Sequence, residues 1–174
     1  VAAVLADQGA RVGALDADLN GPALAKMLGA RGQALRLRPD GVEPAIGAAG
    51  VKVMSMDLFL TADETPVAWQ HGGGLAEDSF VWRDTMETTT VREFLADTLW
   101  GELDVLLIDL PPGTERFSTL AGLIPTVAGL AVTIPSEVSH LVVKKSVRAV
   151  QGSGGELLGL VENMSGYACP SCWE

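Results

Sequence analysis

Apolar positions in this chain fall into two kinds of block that alternate. The first kind is a short, mainly apolar run: Arg11–Asp16, Val51–Met56, Val105–Ile108 closing on Asp109, Val127–Ile134 and Leu157–Val161. All five predict strands, and the unbroken one, Val105–Ile108 with Asp109, fits a buried central strand covered on both faces, as in a parallel sheet. The second kind carries helical spacing. Residues 1–9 place Val1, Val4 and Leu5 on one face and close on Gly9, and Ala23–Leu28 stops at Gly29. Thr85–Leu99 has the stripe Val91, Phe94, Leu95 and Leu99; Phe117–Ile124 and Val138–Val150 follow. Strands alternating with helices predict an α/β fold: a mostly parallel sheet flanked by helices, with right-handed crossovers.

The breaks between blocks refine this picture. Asn20 fits a helix cap and Pro22 the first turn of the helix that follows. Residues 30–50, rich in Gly, Pro and Arg, read as a loop or a short strand pair, and residues 57–84 as a mobile surface loop. After Asp109, Pro111, Pro112 and Gly113 force a turn. With no linker or repeat, residues 1–174 are expected to form a single, partial domain that ends in a C-x-x-C loop.

Composition narrows the function classes. The net charge of −10 argues against a general nucleic-acid binder, whose affinity comes from neutralising phosphates. No apolar run spans a membrane, and the opening residues lack the basic start of a signal peptide. The only two cysteines, Cys169 and Cys172, make no disulfide framework and point to a reducing, cytoplasmic setting. The chain opens with Val1 inside a helix and ends at Glu174 just past the cysteines, so it reads as a piece of a longer protein.

The candidate chemistry sits at strand ends. In a parallel sheet all carboxyl ends share one edge, where such sheets place ligands. That edge is expected to gather Asp16, Asp18, Asp109 and Asn163. Asp109 suits Mg²⁺, held through water, and Gly113 lets a backbone N–H approach a γ-phosphate. The plainer alternative is an Asp that caps a strand end or helix. Asp16 and Asp18, two apart in extended backbone, point the same way. One can reach a metal shell and the other a hydrolytic water, or both can be turn carboxylates capping the helix at Pro22. The Asn163 amide suits the edge of an adenine base, or is an ordinary turn residue.

Cys169-Pro170-Ser171-Cys172 has the spacing of a zinc or iron chelate or a redox pair. Two thiolates are half of a four-thiolate site, so a second copy of the chain must complete it about a two-fold axis. His71-Gly72-Gly73-Gly74 could form an esterase oxyanion hole, but no serine lies in a nucleophile elbow. Nor does a Lys-Ser or Lys-Thr follow that run to make a phosphate loop. Lys144, Lys145 and Arg148 read as a solvated helix face, and the four tryptophans as packing residues.

Four segments together resemble the Mrp-like ATPases, iron–sulfur cluster carriers within the deviant Walker A group of P-loop NTPases. They are LDADLNGP at Leu15–Pro22, WGELDVLLIDLPPGT at Trp100–Thr114, IPSEVSHLVVKKS at Ile134–Ser146 and LGLVENMSGYACPSC at Leu158–Cys172. The resemblance implies a P-loop NTPase-like fold and an ATP-dependent carrier that passes a [4Fe–4S] cluster to apo iron–sulfur proteins. It implies that Asp16 and Asp18 are the acidic pair, with Asp18 the aid to hydrolysis. Asp109 matches the Walker B ligand of Mg²⁺, Gly113 the switch glycine and Asn163 the adenine reader. Cys169 and Cys172 match the ligands of a cluster bridging a homodimer.

This chain departs from the family pattern in places. The family's GKGGVGKS or GKGGVGKT loop belongs just before Val1, together with the first strand of the sheet. Without them the chain alone is expected to be inactive as an ATPase, marginal in stability and prone to associate. Gln70 and His71 stand where the family usually shows W-R-G, and Glu115 and Arg116 follow Thr114 where many members have Gly-Asp. A rival from another class is a non-catalytic dimeric zinc module on a degenerate sheet. A second, a partitioning ATPase acting on DNA or membranes, conflicts with the cysteine pair, the acidic charge and the lack of a basic amphipathic tail.

Overall fold

The computed structural model describes residues 1–59, 80–113, 115–166 and 171. The expected loop with His71–Gly74 falls almost wholly outside them, as do Cys169 and Cys172. The chain divides into two compact units, Val1–Pro111 and Pro112–Glu174.

In the first unit, α1 (Ala2–Asp7) leads through Gly9 into β1 (Val12–Asp16). Gly9 takes a positive φ of 94°, its N–H bonds Ala6 O and the Ala10 N–H bonds Leu5 O, a closed helix end that needs a left-handed residue. The face of α1 turned to the core is Ala2, Leu5 and Ala6. Val1 and Val4, expected on that face, are exposed. The small alanines let the helix lie close to the sheet, while the same spacing rule admits either stripe.

β1 is buried along its whole length. β5 (Lys52–Met54) and β6 (Val105–Asp109) pair with it in parallel, one on each side, and β4 (Ala45–Ile46) adds antiparallel to β5. The sheet order is β4-β5-β1-β6. The core packs Val12, Ala14, Val51 and Val53 against Ala2, Ala25, Ala30 and Ala45. Residues 30–50 hold the hairpin β2 (Arg36–Arg38) and β3 (Gly41–Glu43), the strand-pair option of the sequence reading. Val42 bridges to Thr98 beyond α3 (Phe80–Asp97).

The central buried strand expected at Val105–Asp109 is corrected. β6 is half-buried, and among the described residues it pairs only with β1, so it edges its sheet. An apolar run reports that both faces are covered; it does not report how many edges are paired. At its start β6 is pinned to β1 by Arg11, whose backbone N–H and guanidinium bond the Asp104 carboxylate at 2.7–3.0 Å. This ion pair holds the Asp104 carboxyl down at about 2.

In the second unit, α4 (Glu115–Leu123) precedes β7 (Ala128–Thr133), α5 (Glu137–Gly152) and β8 (Glu156–Glu162). β7 and β8 pair in parallel as a separate two-stranded sheet. Gly129 lets Phe117 and Val150 close onto β7, while Leu130, Val132 and Leu158 are exposed. Ser136 caps α5 by accepting the Ser139 N–H. No helix among the described residues is long and apolar enough to cross a membrane.

Candidate functional site

The carboxyl edge of the first sheet gathers three of the expected acids. Asp16 and Asp109 end β1 and β6 in register with one another, and the Ala17 N–H bonds Asp109 O at 2.8 Å. Asp18 follows in the turn. Parallel pairing explains the convergence: acids 93 positions apart arrive at the same level because the strands that carry them run the same way.

The three are not equivalent. Asp16 is 1% exposed, and four donors surround its carboxylate. Oδ1 accepts the Asp18 N–H at 3.2 Å. Oδ2 accepts the N–H groups of Ala23 and Leu24 at 3.0 Å each and the Ser55 hydroxyl at 3.1 Å. Ala23 is the N-cap residue of α2 (Leu24–Met27) and offers no side-chain cap. Asp16 therefore satisfies the first amides of that helix from seven residues upstream. Asn20, expected as the cap, instead donates from Nδ2 to Glu87 Oε1 at 2.7 Å. Of the two readings of the acidic pair, the capping one describes Asp16. Burial raises the Asp16 pKa, and the hydrogen bonds from Leu24, Ser55, Ala23 and Asp18 oppose that rise.

Asp18 is half-buried, and its Oδ1 accepts the Gly21 N–H at 3.0 Å, closing a turn. Asp109 reaches solvent, yet the packed strand end withholds part of its water. That desolvation first, and then the charges of Asp16 and Asp18, raise its pKa. The edge is thus short of positive charge, the condition a divalent cation relieves. Among the described residues, no group of three or more His, Cys, Asp or Glu side chains is arranged to hold a metal ion.

Gly113 and Asn163 belong to the second unit. Gly113 is exposed with φ 143° and nothing within 4 Å of where a Cβ would stand. Asn163 continues β8: its backbone N–H bonds Thr133 O at 2.7 Å, and its Oδ1 accepts the Met164 N–H at 2.9 Å. This is the turn geometry of the plainer reading, and it commits the carbonyl oxygen locally. Sequence reasoning missed Ser55 and Asp57. Both are buried just past the carboxyl end of β5, a polar pair closing an apolar run as Asp16 and Asp109 close theirs.

Comparison with known proteins agrees with this architecture. The family model described as ParA, the NUBPL iron-transfer P-loop NTPases, matches residues 1–73 and 72–174. The iron-sulfur cluster carrier protein of Saccharolobus solfataricus is 44% identical over 98% of this chain and 54% of its own length. The human cytosolic Fe-S cluster assembly factor NUBP2 is 35% identical over 100% of this chain and 62% of its own. A nucleotide-binding protein from Archaeoglobus fulgidus, solved in complex with ADP, superposes with a TM-score of 0.76 at 32% identity, covering 99% of this chain and 62% of that one. The chain thus spans about half to three-fifths of the length of these relatives. On these matches the chain belongs to the ParA/NUBPL-type family of iron-transfer P-loop NTPases.

Proposed function

We propose that this chain is the part of an ATP-dependent iron–sulfur cluster carrier that handles Mg²⁺, hydrolysis and the cluster. The observation that carries the reading is the register pairing of Asp16 with Asp109, with Asp18 in the adjoining turn. Desolvation and the crowding of negative charge at that edge raise the Asp109 pKa, and a cation bound to phosphate would relieve the crowding. Asp109 would hold Mg²⁺, which when bound neutralises phosphate charge. Asp18 orients the hydrolytic water, and Asp16 completes the acidic pair. Gly113 offers its N–H to the γ-phosphate and Asn163 its amide to adenine. Both units serve this one activity as a single domain.

The cargo side rests on Cys169 and Cys172. Two thiolates per chain make half of a [4Fe–4S] site, so a homodimer shares one cluster and delivers it to apo iron–sulfur proteins in the cytoplasm. Nucleic acid and membrane are not partners: with 22 acidic against 12 basic residues, the chain has no excess of cations for phosphate.

The test is anaerobic reconstitution with iron and sulfide, followed by visible absorbance, iron content and oligomer mass. About two irons per chain in a coloured dimer fit paired C-x-x-C ligation. Replacing both cysteines by alanine should abolish the colour. A colourless wild type that binds zinc instead would replace the carrier with a structural zinc module.

A further inference from the structure

Ser55 has no part in the reading above, yet it is fully enclosed beside the acidic turn. Its hydroxyl accepts the Asp57 N–H at 3.2 Å and donates to Asp16 Oδ2 at 3.1 Å. A serine has one proton to give. With the Asp57 amide on its oxygen, that proton is directed at Asp16. Asp57 is itself buried and anchored by Arg31 at 3.0 Å, so the donor's position is fixed from below.

Asp16 Oδ2 already takes three donors, which saturates it. That oxygen has no lone pair left for a metal or a water. What Asp16 controls is backbone: the amide of Asp18 on one oxygen, and those of Ala23 and Leu24 on the other. These bonds flank both sides of the turn whose tip Asp18 closes onto Gly21.

We propose that Ser55 is a positioning residue for the Asp18 carboxylate, acting through Asp16. The hydroxyl holds the Asp16 carboxylate in the one rotation that meets both halves of the turn. Removing it leaves a buried carboxylate short of a donor that water cannot reach to replace. The carboxylate then swings, and the turn loosens at Asp18. The inference rests on the reading of Asp18 as the hydrolytic acid, and it names what sets that acid's place.

The experiment is amide hydrogen exchange in the full chain and in its Ser55→Ala and Ser55→Cys variants. In Ser55→Ala the amides of Asp18, Ala23 and Leu24 should exchange about tenfold faster, matching the loss of one charge-assisted bond, with Val12 to Leu15 unchanged. Ser55→Cys keeps the bulk of the side chain but offers only a weak S–H donor, so it should loosen the same amides, whereas a role in packing alone would leave it like the wild type. In an Asp16→Asn background, Ser55→Ala should add no further acceleration, because the partner it acts through is altered. Wild-type exchange in Ser55→Cys, or additive effects of Ser55→Ala and Asp16→Asn, would overturn the proposal. The readout needs no nucleotide. A longer parent protein carrying the phosphate loop that hydrolyses ATP equally well with Asp18→Asn would sink the hydrolytic reading and leave the Ser55 result standing.

Discussion

Asp16 and Asp109 face each other across the junction of β1 and β6, one carboxylate locked under four hydrogen bonds and the other open to solvent. Both carry negative charge at one level of a sheet, with Asp18 beside them. Like charges opposed on neighbouring strands destabilise by about 0.2–1 kcal/mol. Asp109→Asn should therefore raise the unfolding midpoint of this chain in the absence of divalent ions, and in a longer parent that carries the phosphate loop it should abolish Mg²⁺-dependent nucleotide binding. A thermal melt and a calorimetric titration check the two arms. A variant that binds Mg²⁺-nucleotide normally would remove Asp109 from the metal site.

The same edge makes stability depend on pH in a direction unusual for carboxylates. Asp16 and Asp109 hold their protons more tightly folded than unfolded. Below the unfolded value of 3.8 both states are protonated and nothing is lost; as pH rises from there through the folded values, the unfolded chain releases protons first and stability falls. Asp104 works the other way. Its folded value of about 2 contributes stability that is present above 3.8 and lost as pH falls towards 2. Denaturant melts from pH 7 to pH 3 should show Asp16→Asn removing part of the decline on the alkaline side of 3.8, and Asp104→Asn flattening the acid limb.

Helix α2 offers a sharp contrast between two acceptors. Asp16→Ala deprives the amides of Ala23 and Leu24 of their acceptor and strands the Ser55 hydroxyl in a dry interior. Buried groups left unpaired cost about 1–3 kcal/mol each, so this substitution should be among the most damaging in the first unit. Asn20→Ala removes only an exposed bond to Glu87 and should change stability by less than about 0.5 kcal/mol. Equal losses from the two would mean that the bonds from Ala23 and Leu24 to Asp16 contribute no more than the exposed Asn20–Glu87 bond.

These particulars show what the sequence could and could not tell. The runs ending in Asp16 and Asp109 were legible as strands because an unbroken apolar stretch has few other uses. Their shared edge followed from parallel topology. The pairing partners of β6 were not legible, since edge and centre strands can carry the same apolar run. The start of α3 at Phe80, five residues before the expected Thr85, was not legible because the adjoining Phe80, Val81 and Trp82 show no helical spacing of their own. The role of Asp16 was hidden for another reason. Two-residue spacing brings both acids to one side, but only geometry tells whether a carboxylate's lone pairs are free or already occupied by the backbone.

Gly41 ties the small hairpin to the rest of the first unit, and its substitution isolates one contact. Its φ is 152°, and a Cβ there would stand 2.4 Å from the Asp97 carbonyl oxygen and 2.9 Å from Leu99 Cδ2. The first of these is backbone and cannot swing aside. β3 would have to withdraw from the end of α3, lengthening the bond from the Leu99 N–H to Val42 O, now 2.8 Å. Gly32 also has positive φ, 80°, but nothing lies within 4 Å of its missing Cβ. Gly32→Ala thus bears only the backbone term, roughly 1 kcal/mol, whereas Gly41→Ala bears that term and a clash. Chemical denaturation should rank Gly41→Ala well below Gly32→Ala, and hydrogen exchange should place the added loss at the Leu99 amide. If the two variants are equally stable, the backbone angle alone sets the cost, and the packing of β3 against the end of α3 contributes nothing measurable.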